Sequence, residues 1–176
     1  MTFRVMTLFL IFLMMFLGSC NRKNPIDQGS DMFYFNSFET ADDTTGWHGI
    51  SSLMFEEDAA PNSGKKSLRI GGGCIQPTAY RTFSKFERNG IFRLSCWAKV
   101  REHGQAGTLV LKVMNGEESV QSMSLAIDSE EWTFFQSYDF LFCMPGSRLK
   151  LEIMIGGIVP ASMNLDCLAI ERVEFQ

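Results

Sequence analysis

From Asp31 onward apolar side chains recur at every second position, and β-branched and aromatic residues gather between short turn signals. That period puts alternate side chains on opposite faces of an extended strand, so it excludes helical packing for this part of the chain. Strands are predicted over 67–70, 80–86, 91–100, 108–114, 120–127, 132–140, 148–155 and 164–175. Pro61-Asn62-Ser63-Gly64, Gly71-Gly72-Gly73, His103-Gly104, Pro145-Gly146 and Gly156-Gly157 punctuate them. Asn89-Gly90 reads as a tight hairpin and Asn115-Gly116 as the start of a slightly longer one.

Parity within the strands separates a core face from an outer face. Leu109, Leu111 and Val113 form one apolar row, and Leu149, Leu151, Ile153 and Ile155 another, with Lys112, Lys150 and Glu152 on the alternate side. Two antiparallel sheets with apolar faces inward bury both rows, so the predicted fold class is all-β, a two-sheet antiparallel β-sandwich. Over 91–100 the same parity sets Trp97 opposite the core row, together with Arg93, Ser95 and Lys99. A tryptophan among charged side chains is a candidate recognition residue.

The first residues address the chain. A cationic start at Arg4, an apolar run over 5–17, then small residues and a cysteine make a secretory signal segment. The run is shorter than the roughly 20 apolar residues that span a bilayer. Its ending, Leu17-Gly18-Ser19-Cys20, resembles the lipobox of bacterial lipoproteins. That resemblance implies cleavage before Cys20, lipidation of Cys20, and a lipid-anchored place in the bacterial cell envelope, at the outer membrane. Residues 21–30 are polar and contain Pro25 and Gly29, so they read as a tether. The expected organisation is a signal peptide over 1–19, lipidated cysteine and tether over 20–30, and one β-sandwich domain over 31–176.

A formal net charge of −4 supplies no basic footprint for nucleic acid. In an oxidising compartment Cys74, Cys96, Cys143 and Cys167 admit up to two disulfides in three pairings. Cys96 also belongs to a period-two apolar row, the place of a plain core residue.

Phe35-Asn36-Ser37-Phe38-Glu39, Gly46-Trp47 and Ser63-Gly64-Lys65-Lys66-Ser67-Leu68-Arg69-Ile70 follow one another near the start of this domain. Leu94-Ser95-Cys96-Trp97-Ala98-Lys99, Glu131-Trp132 and Asn164-Leu165-Asp166 come later in the same order. This succession resembles the galactose-binding-like jelly rolls, particularly carbohydrate-binding modules of families four and nine. It departs from them at Leu165-Asp166, where the family often has paired acidic residues.

The resemblance implies a structural calcium ion held by the Glu39 and Asp166 carboxylates and by carbonyls near Lys65 and Ser67. Calcium takes six to eight oxygen ligands, which agrees with such a supply. By themselves the two carboxylates read equally as turn caps or partners of Lys65 or Lys66.

A sugar ring presents apolar faces edged with hydroxyls, so a site for it needs an aromatic platform and a few polar side chains. Trp97 with Arg93 and Lys99 is one such set on one strand, to which neighbouring strands are expected to add Lys112, Met114 or Gln121. Trp47 and His48, in a loop after the first strand, are a second. In the resembling family the positions of Trp47 and Trp132 more often pack structurally. No nucleophile motif accompanies His48 or His103, and the adjacent acidic pairs read as solvated faces, so no enzyme is expected. The expected function is a membrane-anchored, non-catalytic module that binds glycan. The alternative is a structural or assembly lipoprotein that binds a protein partner in a cell-envelope complex.

Overall fold

In the computed structural model, which describes residues 31–49, 53–72, 77–157 and 160–173, the period-two segments pair into two antiparallel sheets. Cys20, with the predicted signal segment and tether, lies outside the described residues, and so does Cys74. In chain order the strands are β1 (Asp31–Asn36), β2 (Trp47–Gly49), β3 (Leu53–Glu56), β4 (Ser67–Gly71), β5 (Ala79–Lys85) and β6 (Gly90–Val100). There follow β7 (Gln105–Asn115), β8 (Glu118–Ile127), β9 (Thr133–Gln136), β10 (Leu141–Cys143), β11 (Arg148–Gly157) and β12 (Ser162–Arg172). A single 3-10 turn over Ala41–Thr44 precedes β2.

The five-stranded sheet runs β2-β5-β11-β7-β8. The other runs β10-β6-β12-β4-β3, and β1 and β9 add to β12 and β6. β12 pairs with β4 through Leu165 and with β1 from Leu168, so its partner changes at an irregularity between Asp166 and Ala169. There Cys167 takes a left-handed φ of 44°. The extra residue of such a bulge lets Leu165 and Leu168 both face inward, and both are fully buried.

The core forms as the parity requires. Leu109, Leu111, Leu149, Leu151 and Ile153 from one sheet meet Leu68, Ile70, Leu94, Leu165 and Ile170 from the other, all fully buried. At about 1.5 to 3 kcal/mol for each large apolar side chain buried, these rows supply the dominant favourable contribution to the fold. Cys96 is one of them, and burial pushes its thiol pKa upward. Cys96, Cys143 and Cys167 are not joined by disulfides.

The turns divide. Asn115-Gly116 does close a hairpin, with Asn115 opposite Glu118 and Gly116 at φ 61°, a conformation that glycine adopts without strain. Asn89-Gly90 does not. β5 lies in the five-stranded sheet and β6 in the other, so 86–89 crosses between layers, with the Phe86 and Phe92 rings in contact at 4.9 Å. Packing of the half-buried Phe86 on the buried Phe92 outweighs the local turn preference. The segment 132–140, predicted as one strand, holds β9 and then breaks, because the Ser137 amide and hydroxyl turn in to bond the backbone of Leu94.

Candidate binding face

The two outer faces differ in what covers them. On the seven-stranded sheet, Arg93 is ion-paired with Glu171, and Lys99 Nζ is 2.7 Å from Asp58 Oδ2. Lys99 also stands 5.1 Å from the Trp132 ring, whose Nε1 donates to Asp58 Oδ1 at 3.0 Å. Burial opposes charge on Asp58, but hydrogen bonds from Lys99 and Trp132 outweigh it and hold its carboxyl below the ordinary range. Trp97 packs its ring on Phe134 at 5.7 Å and on Cys167 and Ala169, with its Nε1 buried and without a hydrogen-bond partner. Trp97, Arg93 and Lys99 thus lie on one face as parity requires, but each is engaged by its own fold. Lys112, Met114 and Gln121 belong to β7 and β8 of the opposite sheet, so they are not neighbours of Trp97.

The carboxylates of the implied calcium site grip a loop. Asp166 is fully buried; its Oδ2 accepts from the Ala60 amide at 2.9 Å and from Ser63 Oγ at 2.5 Å, and its Oδ1 from the Cys167 amide at 2.6 Å. Burial raises its pKa against the pull of these bonds. Glu39 Oε1 accepts from the amides of Lys65 and Lys66 at 2.9 and 3.1 Å. Gly64 sits so close to Glu39 that a Cβ there would overlap Oε1. Ser67 Oγ accepts from Asn164 Nδ2 at 3.1 Å. N–H and O–H groups therefore converge on these oxygens, and no group of three or more His, Cys, Asp or Glu gathers among the described residues. A calcium ion needs oxygens where these donors point, so this arrangement does not fit one.

The outer face of the five-stranded sheet is partly open, with His48, Thr82, Ser122 and Ser124 exposed, Tyr80, Val110, Lys112 and Lys150 half-buried, and Glu152 buried beneath its lysines. Across it runs one continuous register row: His48 opposite Tyr80, Tyr80 opposite Glu152, Glu152 opposite Val110, and Val110 opposite Ser124. At about 4.8 Å between strands, that row is roughly 19 Å wide. The next row carries Thr82, Lys150, Lys112 and Ser122.

His48 stacks on Tyr80 with ring centroids 5.2 Å apart and planes 26° from parallel. Lys150 Nζ lies 4.8 Å from the Tyr80 centroid. The Glu152 carboxylate receives two ammonium groups, Lys112 at 2.5 Å and Lys150 at 2.8 Å. Burial disfavours its charge, yet these two lysines outweigh burial and hold its pKa below the ordinary value. The result is an outer face on which two mutually stacked rings stand beside two ammonium groups and the carboxylate they share, on strands held by two neighbours each except at the margins.

Of the second predicted pair, His48 belongs to this face. Trp47, one residue earlier on β2, points inward; it is buried against Phe38 and donates from Nε1 to Tyr34 Oη at 3.2 Å. No motif in the sequence singles out Tyr80, although it opens a predicted strand in alternation with inward residues. Lys150 and Glu152 were placed on an outer face by parity alone, and only the register brings them beside Tyr80.

The sequence matches no family model and no curated protein. Its fold is similar to solved structures. The CBM22-1 xylan-binding domain from Paenibacillus barcinonensis Xyn10C superposes with a TM-score of 0.61 at 19% identity, covering 84% of this chain and 98% of that one. The CBM22-1–GH10 modules of Clostridium thermocellum endo-1,4-beta-D-xylanase 10B, complexed with xylohexaose, give 0.60 at 15% identity over 82% of this chain and 29% of that one. A xylan-binding domain from CBM 22 gives 0.52 at 12% identity, covering 83% and 97%. At these identities the likeness shows the fold, a jelly-roll β-sandwich.

Proposed function

We propose that this chain is a non-catalytic binding module that lays a glycan chain across the outer face of its five-stranded sheet. The observation that carries the reading is the His48–Tyr80–Glu152 row, in which stacked rings and hydrogen-bonding side chains share one outer face. A pyranose needs that combination: an apolar face for its C–H groups and donors or acceptors for its hydroxyls. The similarity in fold to xylan-binding domains supports it. Recognition by a rigid sheet requires no activated nucleophile, and the reading assigns none.

The signal segment and Leu17-Gly18-Ser19-Cys20 support export and lipid anchoring through Cys20, and hence a place in the bacterial cell envelope, at the outer membrane. A surface anchor raises the local concentration of module against polymer, so modest single-site affinity suffices. The test is affinity electrophoresis of the full chain in detergent against a panel of soluble polysaccharides, with Tyr80→Ala beside the native protein. Retardation by at least one polymer, lost in Tyr80→Ala, is expected; no retardation by any polymer would refute the glycan reading.

A second reading, an assembly lipoprotein that binds a protein partner, is favoured by one margin of the sandwich. There Val120 of β8 and Phe142 and Met144 at β10 are exposed, at 57%, 47% and 61%, and the Phe142 amide bonds Gln121 Oε1 across the gap between sheets at 3.1 Å. Clustered exposed apolar side chains of this kind suit a protein surface better than a sugar. A crosslinked envelope complex lost on Phe142→Ser would favour this reading.

A further inference from the structure

The open face carries more positive than negative charge, although the whole chain is net −4. Three adjacent register rows cross it. The first holds His48, Tyr80 and Glu152; the second holds Lys150 and Lys112; the third sets Lys85 opposite Arg148, with Arg148 opposite Met114. Residues directly opposite each other across antiparallel strands project to the same side, so these four cations share a face. Within those rows, among the described residues, Glu152 is the one carboxylate. It has two lysines to itself and can neutralise one of them. Arg148 reaches outward to Glu117 of the β7–β8 turn at 2.8 Å, but that carboxylate is 96% exposed and weakly held by solvent-screened attraction. Lys85 is exposed at the margin.

A neutral sugar needs donors and acceptors in balance and has no use for an unmatched ammonium beside the ring platform. A sugar carboxylate does. Lys150 is placed where both demands meet, because its Nζ lies over the Tyr80 ring and within ion-pair reach of Glu152. A pyranose seated against Tyr80 would direct a C5 carboxylate toward Lys150 and Lys112, where two ammonium groups already converge on one carboxylate. On the opposite sheet Arg93 and Lys99, the cations beside Trp97, are each matched by a single internal acid, Glu171 and Asp58, and although Arg69 and Arg101 share Glu56 there, neither stands over an aromatic ring as Lys150 does.

We infer that the ligand of this face is an anionic glycan, a polymer containing uronic acid residues, and that Lys112 and Lys150 select for its carboxylates. The inference rests on the glycan-binding reading above. Glu152 then acts as an internal stand-in for the ligand's carboxylate: it keeps the two lysines oriented in the free protein and limits how much charge the face presents.

The probes are polygalacturonate and neutral arabinoxylan, titrated against the full chain in detergent at low and high salt. The expected result is tighter binding of polygalacturonate, by about tenfold at low ionic strength, with the advantage shrinking as salt screens it. Lys112→Gln and Lys150→Gln are each expected to remove most of the preference. Glu152→Gln, which frees both ammonium groups, is expected to enlarge it. Equal, salt-insensitive binding of the two polymers overturns the anionic specificity and leaves the glycan reading standing. Binding of neither polymer, nor of any in the wider panel, overturns both. The salt series on the native protein decides the matter even where a variant fails to fold.

Discussion

Asp166 Oδ2 and Ser63 Oγ meet at 2.5 Å although 103 residues separate them in the chain. With the Ala60 amide on the same oxygen, this contact fastens the 60–66 loop over the bulge in β12. Replacing Asp166 by Ala leaves the buried amides of Ala60 and Cys167 without their acceptor. Each unsatisfied buried donor costs about 1 to 3 kcal/mol, so urea unfolding of Asp166→Ala is expected to show a loss of that order or more. A loss too small to shift the midpoint would mean that the loop is held by Glu39 alone.

The two buried acids make opposite predictions for pH. Glu152 titrates below its ordinary value of 4.5 in the folded chain, so its contribution to stability is present above that value and is lost as pH falls through the folded pKa. Asp166 titrates above its ordinary value of 3.8, so its contribution is present in acid and is lost as pH rises through the folded pKa. Comparing native protein with Glu152→Gln across an acid series, the stability gap is expected to be widest near neutrality and to close toward acid. A gap that widens in acid would show that the two lysines do not hold the Glu152 charge.

Tyr80 and Trp97 are expected to separate binding from folding. Tyr80 stacks with His48 on the open face, so Tyr80→Ala should weaken glycan binding about tenfold, the equivalent of about 1.4 kcal/mol, with little loss of stability. Trp97 packs on Phe134, Cys167 and Ala169, so Trp97→Ala should cost about 3 kcal/mol in unfolding and leave binding nearly unchanged. Isothermal titration beside chemical denaturation reads both. The reverse pattern would move the site to the seven-stranded sheet.

Thermal unfolding is expected to be the same in calcium and in chelator. The Glu39 and Asp166 oxygens accept from Lys65, Lys66, Ala60, Ser63 and Cys167, and an ion bound only by the native form would raise its melting temperature. A rise of several degrees on adding calcium would mean that the 60–66 loop turns its carbonyls toward the two carboxylates.

Much of the architecture was legible from residue order because burial acts locally on an extended chain: side chains two apart share a side, and Leu149, Leu151 and Ile153 had to face whatever buried Leu109 and Leu111. The same logic put Lys112, Lys150 and Glu152 outside and Cys96 in the core. Alternation settles the side of a strand but carries no information about the strand beside it. Which sheet received β5, and therefore why Asn89-Gly90 crosses between layers, followed from packing Phe86 against the buried Phe92. Long-range register set Tyr80 beside Glu152 across 72 positions of chain and spread Trp97 and Lys112 onto opposite faces. Only the folded layers, by fastening the 57–66 loop onto the outer face of the seven-stranded sheet, decided which polar side chains are taken up by the fold itself.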